Sequence, residues 1–377
     1  MKVLYFTRDY TPHDFRFLNA LVEIGHEVHY LRLEDSGRNL ESRPLPSTVH
    51  PVEWNWGKEP FQMKDAETIV RDLKQIWDRI QPDIIHSGPL PDVSWLTAKA
   101  GLHPHAAMSW GFDLMHDIEV DPVMRSNAAE ALQTADWFLG DCYVERDAAV
   151  KLGLDEAHTT IFPWGIDPRR FKHGISQVRS QIAAEQDFLM LSLRSLEPNY
   201  SVETTVRAFL QAAAVEPRLK LLMLADGSQL QSLRAIAAQA PAAIQQRINW
   251  YGRIPNEQLV DFYRASDLYL SASITDGSSV SLLEAMGCEV PVLVSAIPGN
   301  LEWVTEGKTG YLFKTGATGE LAEKMLWCTQ NQDALRRTAA AARQQIEEKA
   351  DWDKNKFRLT EAYQGALSVS RERSGKF

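Results

Sequence analysis

Cysteine is scarce in this chain: Cys142, Cys288 and Cys328 are its three, among 377 residues. They are odd in number and far apart, which excludes a disulfide framework and any cysteine-based metal spacing. A reducing, cytoplasmic compartment is expected. Long apolar runs are also missing. None approaches the roughly 18 residues that a membrane span requires, so membrane contact is expected to be peripheral at most. Positive charge is in deficit, with 40 Lys and Arg against 50 Asp and Glu for a net charge of −10. That balance argues against nucleic acid as a partner. No signal peptide is expected, because Met1-Lys2 runs straight into the strand-like Val3-Leu4-Tyr5-Phe6.

What is present reads as a globular protein, with 44 % hydrophobic and 24 % charged residues. Its length exceeds one ordinary core and implies two domains. Residues 1–168 carry 15 basic and 27 acidic residues; the remainder carries 25 and 23. The second half is therefore the better place for an anionic ligand. Strand and helix patterns alternate in both halves. In the first, Val3–Thr7, Glu27–Leu33 and Asp83–His86 read as strands, Phe15–Ile24 and Ala66–Ile80 as helices. In the second, Phe188–Arg194, Leu219–Ala225, Ile248–Tyr251 and Leu268–Ser271 read as strands. The helices between and after them are Val202–Ala214, Leu230–Ala238, Gln258–Ala265, Glu320–Gln330 and Asp333–Lys349. Such alternation implies parallel sheets covered by helices. Residues 36–60 look like a long irregular connection, and a loop of that length is more often functional than idle. Pro and Gly punctuate Ile161–Pro168, where the junction is expected. The predicted division is 1–168, 169–350 and a C-terminal helical segment 351–377.

The most informative stretch is Asp276-Gly277-Ser278-Ser279-Val280-Ser281-Leu282-Leu283-Glu284, followed by a buried-strand pattern at Val290–Val294. Small residues at a helix start leave N–H groups open and present the positive end of the dipole, which suits a phosphate or a sugar. Asp276 and Glu284 can each grip a pair of neighbouring hydroxyls. On spacing alone, a capped helix with a solvated glutamate fits equally well.

The flanking residues, through Ile297-Pro298-Gly299-Asn300-Leu301-Glu302, carry the segment further. It resembles the donor-binding signature of the family 4 retaining glycosyltransferases, and Pro163-Trp164-Gly165-Ile166-Asp167 with Phe171 resembles that family's interdomain signature. The resemblance covers nearly the whole chain. It implies a GT-B fold, α/β with two Rossmann-like lobes and a cleft between them: an acceptor-side first lobe, a nucleotide-sugar-binding second lobe, and a last helix crossing back to the first. By the same resemblance Asp276, in place of the commoner Glu, touches the transferred sugar. Glu284 holds the ribose, and Gly277, Ser278, Ser279 and Val280 supply amides. Arg194, at a strand end where open α/β sheets bind ligands, takes the diphosphate. The family's usual Lys is absent, and Tyr200 or Asn199 stands in its place. Gly252, Arg253 and Ile254 form the turn that reads the nucleobase.

In the first half, Thr11-Pro12-His13-Asp14-Phe15-Arg16 occupies the position of a Gly-rich loop in relatives, yet contains no Gly. Two readings stand. Either Thr11 caps a helix with Pro12 in its first turn and Asp14 serving the dipole, or His13, Asp14 and Arg16 bind the acceptor and assist proton transfer. Trp110, in Ser109-Trp110-Gly111-Phe112-Asp113, stands where relatives carry a His; it is expected at the acceptor, with Asp113 as a catalytic cleft residue. His86 reads as a core histidine. Asp117-Ile118-Glu119-Val120-Asp121 reads as a strand-like run and a poor metal site. The expectation is a metal-independent hexosyltransferase with no cofactor, taking a UDP- or GDP-linked sugar. Its acceptor would be a sugar, a lipid-linked group or a small molecule, as in polysaccharide biosynthesis. A non-catalytic nucleotide-sugar-binding subunit and a nucleotide-sugar epimerase are the alternatives.

Overall fold

The structure is a computed structural model that describes residues 1–35 and 40–375. Residues 36–39 of the expected irregular connection and 376–377 of the expected C-terminal segment lie outside the described residues. The chain forms two compact units. One is Met1–Phe162 together with Lys354–Phe377; the other is Pro163–Asp353.

Unit 1 is built on a parallel sheet of β1 (Lys2–Thr7), β2 (Glu27–Arg32), β3 (His50–Pro51), β4 (Ile84–Gly88), β5 (His105–Met108), β6 (Trp137–Gly140) and β7 (Thr159–Ile161). The strands lie in the order β3-β2-β1-β4-β5-β6-β7. Val3 to Thr7 are buried at every position, as a strand covered on both faces demands. The helix Ala66–Ile80 covers one face with Ile69, Leu73 and Ile76 and stops at Gln81, whose φ of 52° is left-handed. The helix Pro12–Glu23 begins where the sequence puts a cap: Thr11 is the N-cap, Pro12 follows, and Asp14 closes a capping box. The last helix, Arg358–Arg373, returns to this unit and lies against β5, β6 and β7. Gly365 allows the close fit, since a Cβ there would come 2.6 Å from the Trp137 ring. The Tyr363 hydroxyl meets Nδ1 of His86 at 2.7 Å, and His86 is wholly buried, the expected core histidine.

One expectation is corrected. Asp117–Val120 is not extended. A wide helical turn, Asp113–Asp117, continues into Ile118–Val120, and Asp121 caps the helix Pro122–Thr134, its Oδ1 accepting from the Val123 amide at 2.7 Å. Alternation across Ile118 and Val120 is too short a pattern to separate strand from helical turn.

Unit 2 repeats the plan with β8 (Phe188–Ser192), β9 (Leu219–Met223), β10 (Ile248–Trp250), β11 (Leu268–Ser271), β12 (Val292–Ser295) and β13 (Tyr311–Phe313), all parallel. Their order is β10-β9-β8-β11-β12-β13. Helices Val202–Ala213 and Thr318–Gln330 pack together over one core, and Val280–Gly287 with Gln332–Lys349 over the other. Strand order reverses between β8 and β11, and a parallel sheet opens a ligand-sized crevice beyond its C-terminal ends at such a point.

Candidate functional site

Arg194 and Asp276 flank that crevice. Arg194 follows the end of β8, and Asp276 lies in the loop between β11 and the helix Val280–Gly287. Their side chains form an ion pair, Nη2 to Oδ2 at 2.6 Å, with 13 % and 18 % of their surfaces exposed. Nη1 of Arg194 donates to Ser279 Oγ at 2.7 Å and Ser281 Oγ at 3.2 Å. The face of Tyr200 lies under the guanidinium, 4.1 Å from ring centre to Cζ. Two atoms are left over. Arg194 Nε is buried with no acceptor, and Asp276 Oδ2, despite the close charge, has no donor aligned on it. Burial pushes the Asp276 carboxyl above the usual range, against the pull of Arg194 and the Gly277 amide. Burial works against the Arg194 charge, yet Asp276 and neighbouring tyrosines hold its pKa above the ordinary value. An anion presented to this crevice would find a charged, desolvated and incompletely satisfied guanidinium.

Ser279 occupies the N-cap of Val280–Gly287 without capping it; its hydroxyl serves Arg194 instead. Gly277, Ser278 and Ser279 are buried in the approach to the helix. Ser278 Oγ accepts from Trp303 Nε1 at 3.0 Å. Gly299 touches the backs of Asp276 and Gly277: a Cβ there would come 2.5 and 2.4 Å from their carbonyl oxygens. Glu284, 5 % exposed, sits further along the helix. The Tyr263 hydroxyl donates to Glu284 Oε2 at 2.8 Å. Phe171, the last residue of the junction signature, packs edge-on against Tyr263 with ring centres 5.9 Å apart. The sequence motif and the junction therefore meet through one tyrosine.

Gly252, Arg253 and Ile254 follow β10, on the same C-terminal side of the sheet but at its edge. Gly252 has φ of +72°, which favours glycine. Tyr251 beside it is exposed and meets Phe262 edge-on.

The expected residues of unit 1 divide. His13 and Trp110 come together, ring centres 5.2 Å apart, with Arg16 one helical turn from His13. Asp14 and Asp113 are both buried and hydrogen-bonded within unit 1. Asp14 is wholly buried, Oδ2 accepting from the Thr11 amide at 2.8 Å and Oδ1 from Tyr5 at 3.3 Å. Burial pushes its carboxyl up to about 7. Asp113 is 1 % exposed and collects the amides of Leu90, Trp110 and Leu114 and the hydroxyl of Ser109 at 2.7–3.1 Å. It ties the loop after β5 to the loop after β4.

Ser281, Tyr263, Tyr269 and Trp303 were not legible as site residues. Ser281 sat inside the motif but reads as one more helix residue; the tyrosines and Trp303 carry no local signal, because only the fold brings them to the motif. Among the described residues, one trio of metal-capable side chains stands within 4.8 Å: Asp141, Cys142 and Glu145, all buried. Burial first, then the adjacent Asp141, pushes the Glu145 carboxyl well above its usual range. The Asp141 amide donates to Glu145 Oε2 at 3.2 Å.

Comparison with known proteins adds the following. Residues 176–345 match the family described as Glycosyl transferases group 1, and residues 2–139 match Glycosyl transferase 4-like. The D-inositol 3-phosphate glycosyltransferase of Nocardia farcinica is 26 % identical over 298 residues, 75 % of this chain and 65 % of that protein. The N-acetyl-alpha-D-glucosaminyl L-malate synthase of Bacillus anthracis is 25 % identical over 179 residues, 47 % of this chain and 46 % of that one. The match thus spans about half to two thirds of these relatives' length. Among solved structures, Anabaena Alr3699/HepE in complex with UDP superposes with a TM-score of 0.79 at 17 % identity, covering 96 % of this chain and 99 % of that one.

Proposed function

We propose, for a chain that belongs to the family 4 glycosyltransferases of GT-B fold, that it moves a sugar from a nucleoside-diphosphate-sugar to a hydroxyl acceptor and retains the anomeric configuration. The observation that carries this reading is the Arg194 guanidinium at the β8–β11 reversal, buried, with Nε lacking an acceptor. A diphosphate supplies the missing acceptor and a second negative charge. The complexes of Anabaena HepE with UDP and with UDP-glucose support the same class of donor.

In this reading Arg194 and the amides of Gly277–Val280 hold the diphosphate, Asp276 turns toward the sugar, and Glu284 takes the ribose diol. The bond from the anomeric carbon to the diphosphate oxygen breaks, and the acceptor oxygen bonds to that carbon on the same face. The acceptor's proton passes to the departing phosphate oxygen, so no protein base is required and Trp110 in place of a His is compatible. The residues contribute position and charge stabilisation, and the reaction needs no metal. UDP- or GDP-linked sugars are the proposed donors; a sugar, glycolipid or metabolite hydroxyl is the proposed acceptor. No helix of the described residues is long and apolar enough to cross a membrane. Three free, buried cysteines support a cytoplasmic setting.

Thermal denaturation with UDP-, GDP- and ADP-sugars tests the donor, since a ligand that binds only the folded state raises its melting temperature. NMR of the product from the stabilising donor then reads the anomeric configuration. If no donor stabilises the chain and none loses its sugar to an acceptor or to water, the proposal fails.

A further inference from the structure

Unit 1 carries a recess of about 340 Å³ beside the C-terminal end of β2, walled by Tyr10, Tyr30, Arg32, Trp54, Trp56 and Lys58. This is at the small end of ligand pockets, which begin near about 300 Å³. The wall is fixed. The Val52 amide donates to Tyr30 O at 2.8 Å and the Gly57 amide to Leu33 O at 3.0 Å. Arg32 Nη2 donates to Gly57 O at 3.0 Å. Gly57 has φ of +86°, and a Cβ there would come 2.8 Å from Arg32 O, so glycine is what lets the loop close on the strand. Both indole N–H groups are spent within the protein, Trp54 on Arg32 O at 2.9 Å and Trp56 on Asp72 Oδ2 at 3.0 Å. Trp54 also packs edge-on against Phe6, and Tyr10 edge-on against Tyr30. The indoles are anchored by their nitrogens and offer a ligand only ring surface.

Charge selects the ligand class. Arg32 is met by Asp9 at 3.5 Å and Asp35 at 3.0 Å. Glu53 and Lys58, one of each sign, complete the polar lining. Among the described residues, no cation is in surplus for a phosphate or carboxylate. Hydrogen-bonding capacity remains at the rim, where Glu53 and Lys58 are both exposed. Anchored aromatic surface and balanced, exposed charged groups fit a neutral sugar ring, whose C–H face lies on aromatics and whose hydroxyls take the polar groups.

We propose that this recess is a saccharide subsite that holds a neutral pyranose unit of the acceptor other than the one that reacts. The acceptor is then an oligosaccharide or glycoside rather than a single small metabolite. The inference rests on the glycosyltransferase reading above.

The test has two arms on the intact chain. In the first, the indole ¹H–¹⁵N signals of Trp54 and Trp56, assigned through Trp→Phe variants, are followed while maltotriose, cellotriose, chitotriose or inorganic phosphate is added. In the second, kcat/KM for a trisaccharide acceptor is compared with that for its monosaccharide, in the native chain and in Tyr10→Ala. Both indole signals are expected to shift with at least one trisaccharide and not with phosphate, and Tyr10→Ala to reduce the trisaccharide preference about tenfold through KM. Sugar transfer with unmoved indoles and an unchanged preference would overturn the subsite and leave the transferase reading standing. Shifts with phosphate would overturn the neutral ligand. Shifts with trisaccharide but no transfer from any donor would keep a saccharide recess and overturn its role in acceptor choice, together with the transferase reading.

Discussion

The Tyr263 hydroxyl lies 2.8 Å from Oε2 of Glu284, and both side chains are buried. Tyr263 comes from the helix Asn256–Ala265, and Glu284 from the helix that carries the motif. This hydrogen bond ties the carboxylate assigned to the donor ribose to a second helix. Removing the hydroxyl leaves that carboxylate short of a donor, at a cost of about 1–3 kcal/mol. Tyr263→Phe is expected to lower stability by that order and to raise the donor KM about tenfold with a smaller change in kcat. Urea unfolding and steady-state kinetics check the two halves. An unchanged KM would deny Glu284 its place at the donor.

Asp276→Asn removes the counter-charge of a buried guanidinium. Breaking such a pair from one side costs on the order of 3 kcal/mol, and the low exposure of both side chains leaves little solvent to compensate. Transfer is expected to fall at least about a hundredfold, the scale of losing one preorganised charge contact. A nucleoside diphosphate replaces the missing charge, so UDP or GDP should raise the melting temperature more in the variant than in the native chain. A smaller rise would mean that the diphosphate does not reach Arg194.

Asp14 gives a pH prediction. Burial lifts its carboxyl from 3.8 to about 7, with the Thr11 hydroxyl and amide opposing. Between those values the folded chain holds a proton that the unfolded chain has released. The contribution is complete below about pH 4 and is lost as pH rises through 7. Asp92, lifted to about 6, acts in the same direction. His86 and His105, lowered to about 3 by burial, act oppositely, adding stability as pH climbs from 3 to 6.5. Only a difference isolates Asp14. Asp14→Asn is expected to gain on the native chain by a few kcal/mol, an order-of-magnitude figure, as urea midpoints are measured from pH 5 to pH 8. A constant gap would show that the carboxyl is ionised throughout.

Gly299→Ala sets a Cβ 2.4 Å from Gly277 O and 2.5 Å from Asp276 O, with backbone on both sides and no flexible atom to yield. The Asp276 loop must move. Donor-induced thermal stabilisation is expected to disappear while far-UV circular dichroism is kept. Gly319→Ala, with no heavy atom within 4 Å of the new Cβ and a place inside a helix, is the control. It is expected to be neutral or to stabilise by up to about 1 kcal/mol, with donor binding intact.

Long periodic elements were legible in the sequence: the helix read at Ala66–Ile80 has those bounds in the structure. Pro122–Thr134 and Tyr143–Lys151 escaped notice because their buried faces are made largely of alanine, Asn127 and Glu145, which carry little apolar contrast. The Asp276–Glu284 motif could be found because its residues are contiguous. Arg194 could be named through the family resemblance of its strand end, but Tyr263 and Trp303 could not be, since they reach the motif only through strand order and helix packing. Asp14 and Asp113 show what sequence leaves out about a carboxylate. A carboxylate after a strand looks reactive in sequence, but burial and the number of amides it accepts decide its work, and neither is written locally.

The unit that holds β1 is made of two stretches of chain, one synthesised before Pro163–Asp353 and one after it. While the ribosome is still adding the middle of the protein, His86 has no hydroxyl to meet and the indole of Trp137 has no Gly365 to rest on. Pro163–Asp353 is continuous and complete once made. The earlier-made portion therefore waits for the later one, and a nascent chain halted before residue 358 would expose the β5–β7 face to chaperones and to other unfinished copies.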